Sequence, residues 1–267
     1  MRIISWNVNG RVKEACQRQL DCVLAEAPDV LALQEVTVTS YGVWWRGLLA
    51  AGYSVASTVD LVRLPYPEVE PPVRRKYFNL TASRGGMATL PGLAFSDPER
   101  ARLAFPEKYL VTQVVLDGSA VDVHNAHLPP GSSRGEIKVH AFRAIRQRVD
   151  EPTNAARILC GDLNTPQAED HESVTTWASA HPRLRDEWDA AERGVLEHPT
   201  MRDVYRERHP SYAPYPASHL TRGIPRRYDH VYASPEIATV WCRYLGAWLE
   251  ARLSDHAPVE AELVLST

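Results

Sequence analysis

The chain opens on a short apolar run, Ile3-Ile4-Ser5-Trp6, that reads as a strand over residues 2–7. Helical spacing takes over next. Ala15, Leu20, Val23, Leu24 and Ala27 recur on one face, which predicts an amphipathic helix over 14–26, stopped by Pro28-Asp29. Val30-Leu31-Ala32-Leu33 is continuously apolar and ends in Gln34-Glu35, a buried strand with a carboxylate at its tip. A second helix is expected over 41–51, ending at Gly52. Strands follow near 77–82, 86–90, 109–116 and 120–128, a helix over 131–149, and a buried strand over 157–161. Residues 165–228 mix short helices and loops, and strands recur near 229–233, 238–248 and 257–265.

The stretch 60–76 breaks this rhythm. Pro65, Pro67, Pro71 and Pro72 stand among Arg63, Arg74, Arg75 and Lys76, which predicts a long surface loop of the kind that often serves function. With no repeat and no Ser/Gly linker, the pattern implies one domain over 1–267, an α/β fold with layered sheets and outer helices.

Composition adds boundaries. With 44% hydrophobic and 24% charged residues, the chain is an ordinary globular one. A net charge of −3 does not give the strongly basic footprint of a general nucleic-acid binder, yet leaves room for a local basic cleft. The lysines are Lys13, Lys76, Lys108 and Lys138, and the remaining basic residues are arginines, suited to phosphate but equally a product of coding bias. Cys16, Cys22, Cys160 and Cys242 form no CxxC pair, so neither zinc nor a disulfide framework is expected, and Cys22 and Cys160 read as buried thiols. Without a leader pattern or an apolar run near ~20 residues, the expected setting is cytoplasmic. No protein partner is legible, and a monomer is expected.

Several strand ends carry chemistry. They are Ser5-Trp6-Asn7-Val8-Asn9-Gly10, Leu33-Gln34-Glu35, Asn125-Ala126-His127-Leu128-Pro129, Gly161-Asp162-Leu163-Asn164, and Ser254-Asp255-His256-Ala257-Pro258; Arg227-Tyr228-Asp229-His230 precedes one more strand. Strand ends that converge at one sheet edge bring such groups across a cleft. Carboxylates with an amide suit Mg²⁺ or Mn²⁺, and imidazoles beside them suit a phosphate that gathers charge. Each segment alone has a plainer reading. Asp162 and Asn164 suit an Asx turn, Asp255-His256 a simple turn pair, and His127 a structural histidine. Their occurrence together, in order, favours a site.

In these motifs the chain resembles the endonuclease/exonuclease/phosphatase superfamily, across residues 3–262. The resemblance implies a four-layer α/β sandwich of the DNase I type, two packed, mostly antiparallel sheets flanked by helices. It implies metal at Asn7, Glu35 and Asp255, a water-activating Asp162, a phosphate-orienting Asn164, a phosphate-contacting His256 oriented by Asp229, and a further catalytic His127. Abasic-site endonucleases of this family usually carry Tyr at the place of His127 and a Trp/Phe-rich stretch before Asp229. Here Ser218-His219-Leu220-Thr221-Arg222-Gly223-Ile224-Pro225-Arg226-Arg227 stands instead. Arg222 and Arg227, with Arg84 in Ser83-Arg84-Gly85-Gly86, are the candidate substrate-binding residues; a solvated basic loop and a plain glycine turn are the alternatives. The expected activity is metal-dependent hydrolysis of phosphate esters, with nucleic acid as substrate. The rivals are a phosphomonoesterase on a small or lipid phosphate and a silent binding module, the second disfavoured by the intact acid set.

Overall fold

The computed structural model describes residues 1–61, 76–89, 106–116, 118–130, 135–165, 168–169, 174–175, 182–210 and 217–266. Its strands are β1 (Arg2–Asn7), β2 (Val30–Val36), β3 (Ser54–Ser57), β4 (Phe78–Ser83), β5 (Met87–Thr89), β6 (Tyr109–Leu116), β7 (Ser119–His127) and β8 (Ala156–Asp162). After these come β9 (Ala168–Glu169), β10 (Val174–Thr175), β11 (Arg202–Asp203), β12 (His219–Thr221), β13 (Ile224–Arg226), β14 (Asp229–Ala233), β15 (Ile237–Tyr244) and β16 (Val259–Leu265). Two six-stranded sheets result, ordered β15-β16-β1-β2-β4-β3 and β11-β14-β8-β7-β6-β5.

Each sheet has one parallel pair, β1 with β2 and β7 with β8, while its other pairings are antiparallel. A parallel pair needs a crossover, supplied by the helices Lys13–Glu26 and Gly135–Asp150. The four strands so joined end at one edge of the sandwich.

Strand alternation explains the near-continuous apolar runs. Ile3 of β1 faces the seam between the sheets with Ala32, Val123, Ile158, Val231 and Val259. Ile4 and Trp6 face outward, onto Leu20, Trp44 and Leu48 of the helices Lys13–Glu26 and Val38–Ala50. Phe142 and Trp188, from helices Gly135–Asp150 and Arg185–Leu196, cover the other sheet. The architecture is therefore the expected four-layer sandwich. No helix among the described residues is long and apolar enough to cross a membrane.

Local departures have local causes. Helix Val38–Ala50 begins before residue 41 because Thr37 and Ser40 cap each other reciprocally. The strand expected to reach 248 stops at Tyr244; helix Gly246–Glu250 then places Trp248 edge-on to Trp6, with ring centroids 4.8 Å apart. Helix Lys13–Glu26 buries Cys16 and Gln19 besides Leu20 and Val23, because Gln19 donates to the carbonyls of Val8 and Leu253. Cys160 is buried as expected, but Cys22 is partly exposed. The proline- and arginine-rich segment 60–76, with Arg63, Arg74 and Arg75, lies outside the described residues except for Asp60, Leu61 and Lys76. So do residues 131–134 of the expected helix 131–149.

Candidate active site

Asn7, Glu35, His127 and Asp162 stand at or near the C-terminal ends of β1, β2, β7 and β8. Beneath them a buried polar seam joins the two sheets. The Asn125 amide donates to the carbonyls of Leu33 and Leu80, and its oxygen accepts from Gln34 and Asn79. Gln34 and Asn125, which stand beside the site in the sequence, therefore serve registry between the sheets.

Two backbone features aim the acids. Glu35 has φ 59°, the left-handed region, at an irregularity in the β2–β4 pairing between Leu33 and Val36. That conformation is costly for a residue with a side chain and is held by the surrounding sheet. Gly161 has φ 136°, and a Cβ there would lie 1.8 Å from the carbonyl oxygen of Ala126. Only glycine lets β8 approach β7 this closely, opposing Asp162 to His127 in register.

Asp162 is buried and held by three hydrogen-bond donations. Its Oδ1 accepts from the Asn164 backbone N–H at 2.9 Å, and its Oδ2 accepts from Asn7 Nδ2 at 2.9 Å and Asn164 Nδ2 at 3.2 Å. Asn164 Nδ2 also donates to the Leu128 carbonyl at 2.9 Å. The Asx turn weighed from the sequence is thus present, and the Asn164 amide is committed to holding Asp162.

His256 Nδ1 donates to Asp229 Oδ2 at 2.7 Å, and its Nε2 lies 3.9 Å from Asp162 Oδ2. The turn carrying it is tied to β1, since Ser254 Oγ donates to the Asn7 carbonyl and Trp6 Nε1 to that of His256. Burial opposes charge on His256, but Asp229 and then Asp162 outweigh it and raise the imidazole to about 10. Burial pushes Asp162 up to about 7; His256 pulls it back, while Asp229 adds to the rise. His127 Nε2 lies 3.6 Å from Glu35 Oε1 and 3.7 Å from Asp162 Oδ2. Burial, with help from Lys108, His256 and Lys138, holds His127 well below the usual histidine range, so it is neutral near pH 7. The two carboxylates facing Nε2 favour the tautomer that carries its hydrogen there.

Among the described residues, two groups of three acids or histidines approach within 4.8 Å: Asp162–Asp229–His256 and His219–Asp255–His256. Glu35 belongs to neither, but Asp255 lies within electrostatic reach of it. Burial raises the Glu35 carboxyl and Asp255 adds to the rise, while Asn7, Lys108 and His256 oppose it. Two like charges here supply hard carboxylate oxygens whose repulsion a divalent cation relieves. Asn7 turns its Nδ2 toward Asp162 and keeps its Oδ1 on the Asn9 N–H, so its oxygen joins the set only when the amide turns. The residues fit such an ion.

The three arginines do not gather at this site. Arg84 follows β4, which runs antiparallel to β2, so it emerges at the opposite edge, where its backbone N–H donates to the Asp29 carbonyl and its Nε to the Tyr53 hydroxyl. Arg227 is buried, with Nη2 2.6 Å from Asp203 Oδ2, an internal ion pair in place of a substrate contact. Arg222 sits exposed at the tip of the β12–β13 hairpin. The residue of that hairpin nearest the acids is His219, with its ring 4.6 Å from His256 and its Nε2 3.9 Å from Asp255 Oδ2. A sequence signal for it exists: His219 lies in the polar, arginine-bearing stretch 218–227 that leads directly into Asp229. Lys108, whose charge reaches Glu35 and His127, carries no such signal.

The sequence pattern of the Endonuclease/Exonuclease/phosphatase family matches residues 4–256. Among solved structures, the chain is similar to an AP endonuclease from Archaeoglobus fulgidus, at 19% identity and TM-score 0.66 over 100% of both chains. It is also similar to the APE2 catalytic domain of Xenopus laevis, at 17% identity and TM-score 0.69, covering 100% of this chain and 94% of that one. A third likeness is to the 3′ phosphatase NExo from Neisseria, solved as a point variant bound to a product DNA hairpin, at 20% identity and TM-score 0.61 over 100% of both chains. At these identities the likeness is one of fold. No functionally curated protein matches the chain by sequence.

Proposed function

The chain belongs to the endonuclease/exonuclease/phosphatase family, whose members are hydrolases acting on phosphate ester bonds, and from that premise we propose a metal-dependent phosphodiesterase that cleaves nucleic acid by in-line attack of water. The observation that carries this reading is the meeting of Asp162, His127 and the His256–Asp229 pair at one strand edge. Asn7, Glu35 and Asp255 are assigned to Mg²⁺ or Mn²⁺, which when bound supplies positive charge to the phosphate and the departing oxygen.

The protein's own groups do the rest. Asp162, fixed by three hydrogen bonds, aligns a water and takes its proton as the oxygen attacks phosphorus. His256, cationic through Asp229, donates to a non-bridging oxygen as charge builds there. Neutral His127 donates a second hydrogen bond from Nε2. Asn164 acts through Asp162.

Nucleic acid as substrate is supported by the similar structures just described, one being an AP endonuclease and one carrying a bound product DNA hairpin. The reading includes a monomer acting as one domain over 1–267 in the cytoplasm, a setting suited to its unpaired cysteines. A phosphomonoesterase is the second reading, favoured by the 3′ phosphatase relative. A panel of single- and double-stranded DNA, RNA, 3′-phosphorylated ends and small phosphate esters, assayed with Mg²⁺ or Mn²⁺, tests both. Internal or terminal strand cleavage is expected. Phosphate release alone favours the second reading, and no turnover on any substrate leaves a silent binding module.

A further inference from the structure

Helix Gly135–Asp150 packs on its sheet through Val139, Phe142, Ile145 and Val149, yet on the same packed face it buries Lys138 completely. A lone ammonium in such a place is expensive, and a leucine or methionine would fill the space. Its surroundings explain its presence. Nζ donates to the carbonyl of Leu163 at 3.4 Å and to that of Asn164. These are the two residues that follow Asp162, so Lys138 grips the back of the turn whose front carries the acid. The rings of Phe142 and Trp188 flank Nζ, each with its centroid 5.6 Å away. Glu192, itself buried, receives the Trp188 indole at 2.7 Å; burial pushes its carboxyl up to about 7 against the pull of Lys138, so it opposes the ammonium with part of a charge. Burial pulls Lys138 down to about 8, and Glu192 and then Asp162 hold it up, so it keeps its proton at neutral pH.

We propose that Lys138 is a positioning residue for catalysis, locking the Asp162–Asn164 turn from behind through its main-chain carbonyls and setting a buried positive charge at the back of Asp162. The inference rests on the role given to Asp162 above and extends it to a group that never touches substrate. Two observations favour it over plain packing. The donor hydrogens go to the catalytic turn and not to the helix's own surroundings, and the charge reaches both Asp162 and His127.

The test compares Lys138→Met, Glu192→Gln and the double variant Lys138→Met/Glu192→Met, the last because removing both buried charges together is often neutral for folding. Steady-state kinetics on the best ester of the panel is read alongside hydrogen exchange at the Leu163 and Asn164 amides. Lys138→Met and the double variant are expected to lose about 10- to 100-fold in kcat with KM little changed, the scale of a lost outer partner. Exchange at the turn should quicken in both. Glu192→Gln removes the main charge that holds the Lys138 proton but leaves its amine to donate to the turn, so it should lose less kcat than Lys138→Met and lose more as pH rises. A folded double variant with wild-type kcat and wild-type exchange at the turn overturns the inference. Should the wild-type protein hydrolyse nothing, the phosphodiesterase reading fails by that result, and the exchange comparison still judges whether Lys138 locks the turn.

Discussion

Asn7 and Asp162 share a hydrogen bond of 2.9 Å, Nδ2 to Oδ2, that joins the end of β1 in one sheet to the end of β8 in the other. The acid assigned to water is thus held by the residue assigned to metal. Replacing Asp162 by Asn preserves an acceptor for the Asn164 N–H but removes the base. Turnover should fall on the order of 10²–10⁴-fold. KM should hold, since a lost negative charge does not repel phosphate. Kinetics with a melting curve as control checks this; near-normal turnover in a folded variant would leave Asp162 only its turn-capping role.

The Asp229–His256 pair makes a second expectation. Asp229 Oδ2 orients Nδ1, while its Oδ1 is buried without a hydrogen-bonding partner among the described residues. Asp229→Asn keeps the shape and drops the charge that keeps His256 cationic. A loss of kcat well beyond any loss of stability is expected, measured by turnover against urea unfolding. Equal kcat in the two proteins would remove the imidazolium from the mechanism.

Chelation should be decisive for the donors at the mouth. EDTA is expected to abolish hydrolysis, and Mn²⁺ or Mg²⁺ to restore it. Glu35→Gln keeps the volume at the strained position but loses a charge, so titration calorimetry should show weaker Mg²⁺ binding. Full activity in EDTA would be incompatible with the proposal.

Stability should carry an acid signature from Asp203. Its Oδ1 caps helix Val204–Arg208 through Tyr205 and Arg206, and its Oδ2 takes Arg227. Burial opposes the charge, but Arg227 beside it holds the carboxyl well below the usual range. A depressed carboxylate stabilises the fold fully above its unfolded value of about 3.9 and loses that contribution as pH falls further. Asp203→Asn should therefore cost about 3–5 kcal/mol at pH 7, through the uncompensated Arg227. The gap from wild type should narrow between about pH 4 and pH 2. Urea midpoints across that range measure it, and a gap independent of pH would refute the ion pair's role.

Much of this site was readable because its residues end strands. An apolar run closed by Glu35 or by Asp162 marks both the strand and its tip without any knowledge of neighbours. Strand direction is another matter. Arg84 also ends a strand, but nothing local says that β4 runs against β2 and delivers it to the far edge. Arg227 looked like a surface cation because its partner, Asp203, is distant in sequence. Lys138, Asn79 and Asn125 show the same limit: a polar residue among apolar ones looks alike whether it points to water or into a seam.

The placement of β16 has a bearing on how the protein is assembled. It lies between β1 and β15, so the edge of β1 stays unpaired until a strand more than two hundred and fifty residues away inserts beside it. The Asp255–His256 turn immediately precedes that strand. Docking of this strand closes the first sheet and fixes the turn that carries Asp255 and His256, so on the proposed roles any species with β16 undocked is inert. Hydrolysis, once measured, doubles as a reporter of completed folding, with recovered activity tracking closure of the first sheet.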